Sequence, residues 1–291
     1  MEKTSRKIFI TECPRDAIQG IHHFIPTNTK VEFIKKLCKV GFNVLDMGSF
    51  VSPKAIPQLS DTSQVLNLLT KKDKGENTFL VIVANERGAE DACNHELVDI
   101  LGFPFSISNT FQLSNTNSNQ EESLKRIENI INIAQKKGKK TRIYLSMAFG
   151  NPYQEKWDIE LLISWATKLK DIGVDEFALS DTIGVADEKI ISEVFSSIQN
   201  KFPKQLLSAH FHSNPIHSKH KIIAAFNAGC NSFDVAINGM GGCPLATDEL
   251  TGNIATQELI NSLESKVGIN LNKTELEKSI QFATQLYSQY Q

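Results

Sequence analysis

Short runs rich in β-branched and aromatic residues alternate along the chain with longer stretches whose apolar side chains recur every three or four positions. The short runs are residues 8–13, 43–47, 79–84, 103–108, 141–147, 176–180, 206–212 and 232–237. Their length and composition predict strands. The longer stretches predict amphipathic helices. Residues 29–40 place Val31, Ile34, Leu37 and Cys38 on one face, and 120–137 place Leu124, Ile127, Ile130, Ile131 and Ala134 on one stripe with lysines elsewhere. Residues 157–170 repeat the pattern, and two more helices are predicted near 256–266 and 273–288. Gly41, Gly138, Gly173 and Gly229 stand just past four of the helices, where a chain that must turn left-handed favours glycine. The polar stretch 114–120 is expected as a loop.

Eight β–α repeats in 291 residues imply an α/β fold of the (β/α)8 TIM-barrel class, one domain over 1–291, with an additional C-terminal helix that covers the barrel or joins a subunit contact in a possible homodimer. A doubly wound open sheet is the rival, but no G-x-G-x-x-G follows the first strand. A formal net charge of -2 supplies no electrostatic pull toward nucleic acid or an anionic membrane. No run approaches the roughly 20 apolar residues of a membrane span, and the polar start leads straight into a strand. The expectation is therefore a cytoplasmic protein with no nucleic-acid or membrane partner. The 5 cysteines are scattered, odd in number and form no C-x-x-C pair, against a disulfide framework or a zinc–thiolate site.

In parallel barrels chemistry gathers where the strands end, and the unusual polar residues of this chain fall there. The first strand ends in Glu12-Cys13-Pro14-Arg15-Asp16, and the second leads through Asp46 into Gly48-Ser49-Phe50. The sixth ends in Ser180-Asp181-Thr182 and the seventh in His210-Phe211-His212. Side chains at i and i+2 of a strand share a face, so both imidazoles should project into the barrel mouth. The seventh strand lies one strand from the first, which lets Asp16 approach the same point. With an amide oxygen from Asn253, two imidazoles and a carboxylate form a mixed N/O set suited to Mg2+ or Mn2+ rather than tetrahedral zinc. The plainer readings are two hydrogen-bonded barrel histidines, a loop acid at Asp16, a helix cap at Asp181 and ordinary turn chemistry at Asn253. Gly239-Met240-Gly241-Gly242-Cys243-Pro244 reads either as a flexible surface loop or as a lid carrying Cys243 as proton donor or acceptor. Cys13 and Cys230 read as core.

These residues are similar to the motifs of the 3-hydroxy-3-methylglutaryl-CoA lyases. Glu12-Cys13-Pro14-Arg15-Asp16-Ala17-Ile18-Gln19 resembles the opening motif of that family, and Ser49-Phe50-Val51-Ser52-Pro53-Lys54 with Pro57-Gln58 resembles its second-strand motif. Gly150-Asn151-Pro152-Tyr153, Ser180-Asp181-Thr182-Ile183-Gly184, and Gly241-Gly242-Cys243-Pro244 with Gly252-Asn253-Ile254-Ala255-Thr256 follow in the family order. The resemblance spans the whole barrel. It implies metal-dependent retro-Claisen cleavage of the acyl-CoA thioester to acetyl-CoA and acetoacetate, a reaction of leucine degradation and ketone-body metabolism. It implies Asp16, His210, His212 and Asn253 as metal ligands, Arg15 as stabiliser of the enolate oxygen, and Cys243 in proton transfer. His210 is also the candidate base, with Asp181 and Asp46 orienting the base or the waters of the metal. The chain departs from the pattern at Asp46, where the family usually has Glu, and at Ser213, where it usually has Asp. Two other functions remain in view: a 2-oxo-acid aldolase or Claisen condensing enzyme of the same superfamily, and a non-catalytic barrel that binds a CoA thioester.

Overall fold

The computed structural model describes residues 6–242 and 251–291. All eight expected strands form: β1 (Phe9–Glu12), β2 (Val44–Ser49), β3 (Thr78–Ile82), β4 (Ile100–Ser106), β5 (Lys140–Ser146), β6 (Glu176–Asp181), β7 (Leu206–Ser213) and β8 (Ser232–Val235). Each pairs in parallel with its neighbours, and the β6–β7 and β1–β8 pairings close the ring into a TIM barrel. The largest boundary difference is at β4, which begins at Ile100 rather than at 103. Gly102 hides this part of the strand in the sequence, because glycine interrupts a β pattern. In the barrel it makes room: a Cβ at Gly102 would lie 2.7 Å from Ile82 Cδ1 and 3.1 Å from Tyr144 Cε2.

The helices start where side chains can accept the free backbone N–H groups. Asn119 and Glu122 form a capping box on Gln120–Lys136, and Asp158, Asp187 and Asn214 cap Ile159–Asp171, Glu188–Lys201 and Pro215–Asn227. Of the polar stretch 114–120, the first three residues belong instead to the helix Asn109–Thr116. That helix tolerates a polar sequence because buried Gln112 is satisfied, donating to Thr116 Oγ1 at 2.5 Å and Ser123 Oγ at 2.7 Å. The last helix, Lys273–Tyr290, lies on the flank of the barrel. Phe282 stacks on Phe33 at 5.8 Å and Tyr287 meets it edge-on at 6.3 Å, so this helix packs on Thr27–Cys38.

Inside the barrel an apolar layer of Leu80, Ile82, Ile100, Tyr144 and Ala178 adjoins a charged one. There Arg142 donates to Glu176 Oε2 at 2.9 Å, Thr11 Oγ1 at 3.1 Å and Asp234 Oδ1 at 3.3 Å. A guanidinium with several fixed partners can remain charged in such a place. The largest cavity among those described, about 720 Å³, opens at this end, between the strand N-termini. Its two buried charges, Arg142 and Glu176, are paired with each other, and the convergent polar groups of the chain lie elsewhere.

Glu12 ties the far end of β1 to the segments that follow β8. Its two oxygens accept from Ile237 N at 2.7 Å and Thr256 Oγ1 at 2.6 Å. Burial nevertheless raises its carboxyl from the ordinary 4.5 to about 8, against the pull of those two donors. A carboxyl with a higher pKa folded than unfolded favours the protonated form in the fold. Its contribution to stability is complete below 4.5 and is lost as pH rises through about 8. Glu12→Gln cannot titrate. In thermal melts across this window the variant is expected to lose part of the alkaline fall in Tm shown by the unsubstituted protein, and identical slopes would remove Glu12 as a source of it.

Candidate metal centre

Pro14 stops β1 and opens the short helix Pro14–Ile18, which turns Arg15 and Asp16 back over the barrel mouth. Both are buried. Arg15 donates through Nε to Asp46 Oδ1 and Oδ2 at 3.2 and 3.1 Å and through Nη2 to Asp46 Oδ2 at 2.5 Å. Its Nη1 reaches Asp16 Oδ1 at 2.9 Å and Gln19 Oε1 at 3.0 Å. One guanidinium is thus clamped between two carboxylates. Asp46 reaches it from β2 at a register shift between Asp46 and Gly48, a bulge of the kind that re-aims a side chain beside a site. Burial pushes the Asp16 carboxyl up, but Arg15, His212, His210 and the Asn253 amide outweigh it and hold Asp16 below the ordinary carboxylate range.

His210 and His212 sit on β7 with ring centroids 5.3 Å apart. The Nδ1 of His212 lies 2.8 Å from the carbonyl oxygen of Thr182. A carbonyl only accepts, so Nδ1 carries the proton and Nε2 keeps a free lone pair. Burial and the neighbouring His210 lower the His212 pKa, against Asp16, which keeps the ring neutral. That Nε2 is buried, has no hydrogen-bond partner, and stands 3.9 Å from Asp16 Oδ2. Asp16, His210 and His212 each bring a ligand atom within 4.8 Å of the others. A buried lone pair facing an ionised carboxylate is costly unless something sits between them, and a divalent cation fits that gap in charge and donor type. The residues present therefore suit a divalent metal.

Asn253 arrives by a route hidden in the sequence. Gly252–Asn253 forms a ninth short strand, β9, antiparallel to the end of β7, which places Asn253 directly opposite His212. Its Nδ2 donates to Asp16 Oδ2 at 2.6 Å and to Met240 O at 2.8 Å. The expected amide oxygen is thus turned away from Asp16 here, and rotation about the last side-chain torsion would exchange the two atoms. The glycines before it serve close approach. Gly241 has φ +86°, and a Cβ there would strike the backbone of Asp16 and come within 2.8 Å of Asn253 Nδ2.

A family model described as HMGL-like matches residues 7–283. The chain belongs to the HMGL-like family. A hydroxymethylglutaryl-CoA lyase of Bacillus subtilis is 34% identical over 272 residues, spanning 92% of this chain and 90% of that protein. Among solved structures, the HMG-CoA lyase of Bacillus subtilis superposes with a TM-score of 0.92 at 29% identity, over 99% of this chain and 96% of that one. An HMG-CoA lyase of Acinetobacter baumannii, solved with coenzyme A and 3-methylmalate, gives 0.90 at 28% identity, over 99% and 93%.

Within this HMGL-like barrel the remaining sequence candidates take distinct places. Asp181 is buried at the end of β6, where its Oδ1 accepts from Val185 N at 2.9 Å. Its Oδ2 accepts from Ala186 N at 3.1 Å and Lys221 Nζ at 2.6 Å. Lys221 also bonds the carbonyls of Gly184 and His212. Asp181 thus anchors the loop after β6 to the end of β7. Cys243 lies outside the described residues. Sequence reasoning overlooked Asp234, which sits beside His210 with Oδ2 3.3 Å from Nδ1. The signal was available: an acid at an inward position of a barrel strand. It also overlooked Tyr144, whose ring meets His210 edge-on at 5.2 Å and whose buried hydroxyl has no hydrogen-bond partner. Cys13, assigned to the core, is fully buried but stands with His210 and Asp234 rather than among apolar side chains alone.

Proposed function

We propose that this chain, working as one catalytic domain, is a divalent-metal-dependent carbon–carbon lyase that cleaves 3-hydroxy-3-methylglutaryl-CoA to acetyl-CoA and acetoacetate. The observation that carries the reading is the cluster of Asp16, His210 and His212 at the strand C-termini, with the buried lone pair of His212 directed at Asp16 and a clamped arginine beside them. Kinship with lyases of this activity supports it. Asp16, His210 and His212 would hold the metal, with Asn253 as a fourth ligand, and Mg2+ or Mn2+ suits this donor set. A divalent cation bound there supplies the Lewis acidity that makes a tertiary hydroxyl acidic near neutral pH.

The other steps fall to side chains. Arg15 points one edge at Asp46 and the other at Asp16, so its charge is fixed in orientation before substrate arrives. Negative charge developing on the thioester oxygen as the carbon–carbon bond breaks meets a donor that needs no reorganisation. A neutral imidazole has one lone pair. His210 therefore serves either as ligand or as proton acceptor, and its place in the cluster favours the ligand role. Asp46 acts by holding Arg15. Cys243, on the segment that follows Gly242, is the proposed donor of the proton that quenches the enolate carbon. A cytoplasmic location and a homodimer belong to the same proposal; among the described residues no helix is long and apolar enough to cross a membrane.

Incubation of the protein with the thioester and Mg2+ tests the reading directly. Acetoacetate and acetyl-CoA are expected in equal amounts, and a chelator should stop their formation. No acetoacetate, with free CoA released from acetyl-CoA plus a 2-oxo acid, would identify a condensing enzyme instead.

A further inference from the structure

We propose that Cys13, His210 and Asp234 form a second metal site, which takes a thiophilic divalent cation such as Zn2+ or Cd2+ and, by occupying His210, excludes the hard cation from the first. The three residues each bring a ligand atom within 4.8 Å of the others, and all are buried. Two of the three atoms that face the site make no hydrogen bond, and the third makes one long one. Asp234 Oδ1 is satisfied by Ser208 Oγ at 2.6 Å and Arg142 Nη1 at 3.3 Å. Its Oδ2 has no hydrogen bond, and neither does His210 Nδ1. The two atoms face each other at 3.3 Å, within ion-pair reach. Cys13 Sγ makes only a long contact, 3.8 Å, to the carbonyl of Thr11.

Sulfur, imidazole nitrogen and one carboxylate oxygen form a three-ligand set of the kind that zinc accepts with a fourth position open. The hard cations favoured by Asp16 gain little from sulfur. Burial and the nearby carboxylates Asp234, Asp46 and Asp16 push the Cys13 thiol well up, against Arg15, so it stays protonated until a metal displaces the proton. On binding, the S–H bond breaks, a sulfur–metal bond forms, and the proton leaves to solvent. No oxidant or reductant is required. His210 coordinates this cation through Nδ1, the nitrogen nearest Asp234, so the proton of the neutral ring resides on Nε2. That ring then has no lone pair for the first site.

The test is titration of the metal-free protein with Cd2+ alone, followed by the ultraviolet charge-transfer absorption of a cadmium thiolate. The expected result is a band that saturates at one equivalent in the unsubstituted protein and in Cys243→Ala, and that is lost in Cys13→Ala. In parallel, Cys13→Ala is expected to keep its Mg2+-supported rate while the Zn2+ needed for half-inhibition rises roughly tenfold or more, the effect of removing the one soft ligand. Should Cys13→Ala fail to fold, Cys13→Ser, which keeps a donor of similar size, must still lose the band. A band that persists without Cys13, a band that disappears only in Cys243→Ala, or no band at all overturns the proposal. Mutual exclusion rests on the proposed ligand role of His210, whereas the absorption band does not. A silent lyase assay beside an intact band thus separates failure of the function from failure of the site.

Discussion

His212→Ala is expected to lose bound metal and lyase activity together. The Nε2 of His212 is the buried, unpartnered donor that faces Asp16, and nothing else described in the site can replace it. Loss of one ligand weakens metal affinity by at least the roughly 10–100-fold seen for supporting residues around such sites. Where the metal supplies several kcal/mol of charge stabilisation, kcat/KM should fall by about 10³-fold or more. Metal analysis of the purified variant and steady-state kinetics at saturating Mg2+ check the two arms. Normal metal content with full activity would remove His212 from the ligand set. Stability should change less, because the alanine also removes the orphaned polar atom that the fold carries without a metal.

Arg15→Gln should separate chemistry from metal binding. The guanidinium is expected to act on charge that develops at the thioester oxygen, and removing such a donor typically lowers kcat by about 10²–10³-fold. Metal should be retained, since Arg15 is a partner of Asp16 rather than a ligand. The variant carries a second consequence that follows from the clamp. Asp46 is fully buried and its ion pair is with Arg15, so removing the cation leaves a buried carboxylate uncompensated, which costs about 3–5 kcal/mol. Denaturant unfolding measures that loss independently of turnover. Arg15→Lys provides the contrast: it keeps the charge but not the fork that grips Asp46, and kcat should still fall. If Arg15→Lys turned over at the unsubstituted rate, placement of the fork would not matter to the reaction.

Several parts of this molecule were legible from local pattern. A strand exposes its periodicity within a few residues, so eight strands could be placed, with the greatest slip at β4, where Gly102 interrupts the pattern to make room for the Ile82 and Tyr144 side chains. The shared face of His210 and His212 follows from the two-residue period of a strand and needs no knowledge of the rest of the fold. The polar clusters at the strand ends pointed to the end of the barrel at which Asp16, His210 and His212 come together.

Other contacts were beyond any local signal. Asn253 donates to Asp16 across 237 positions of sequence, and Glu12 accepts from Ile237 across 225. Asp234 comes beside His210 only because β7 and β8 pair in a register that aligns the two residues. Asp46 meets Arg15 through a bulge, and Asp181 reads as a helix cap or a catalyst until Lys221 is seen beside it. The sequence alone determined the barrel and the residue types gathered at the ends of its strands, because strand and helix periods are properties of neighbouring residues. Only the tertiary structure decided which carboxylate holds the arginine, which flanks the histidine and which anchors a loop. Those assignments depend on how a closed sheet staggers its strands, and that stagger is set by all eight together.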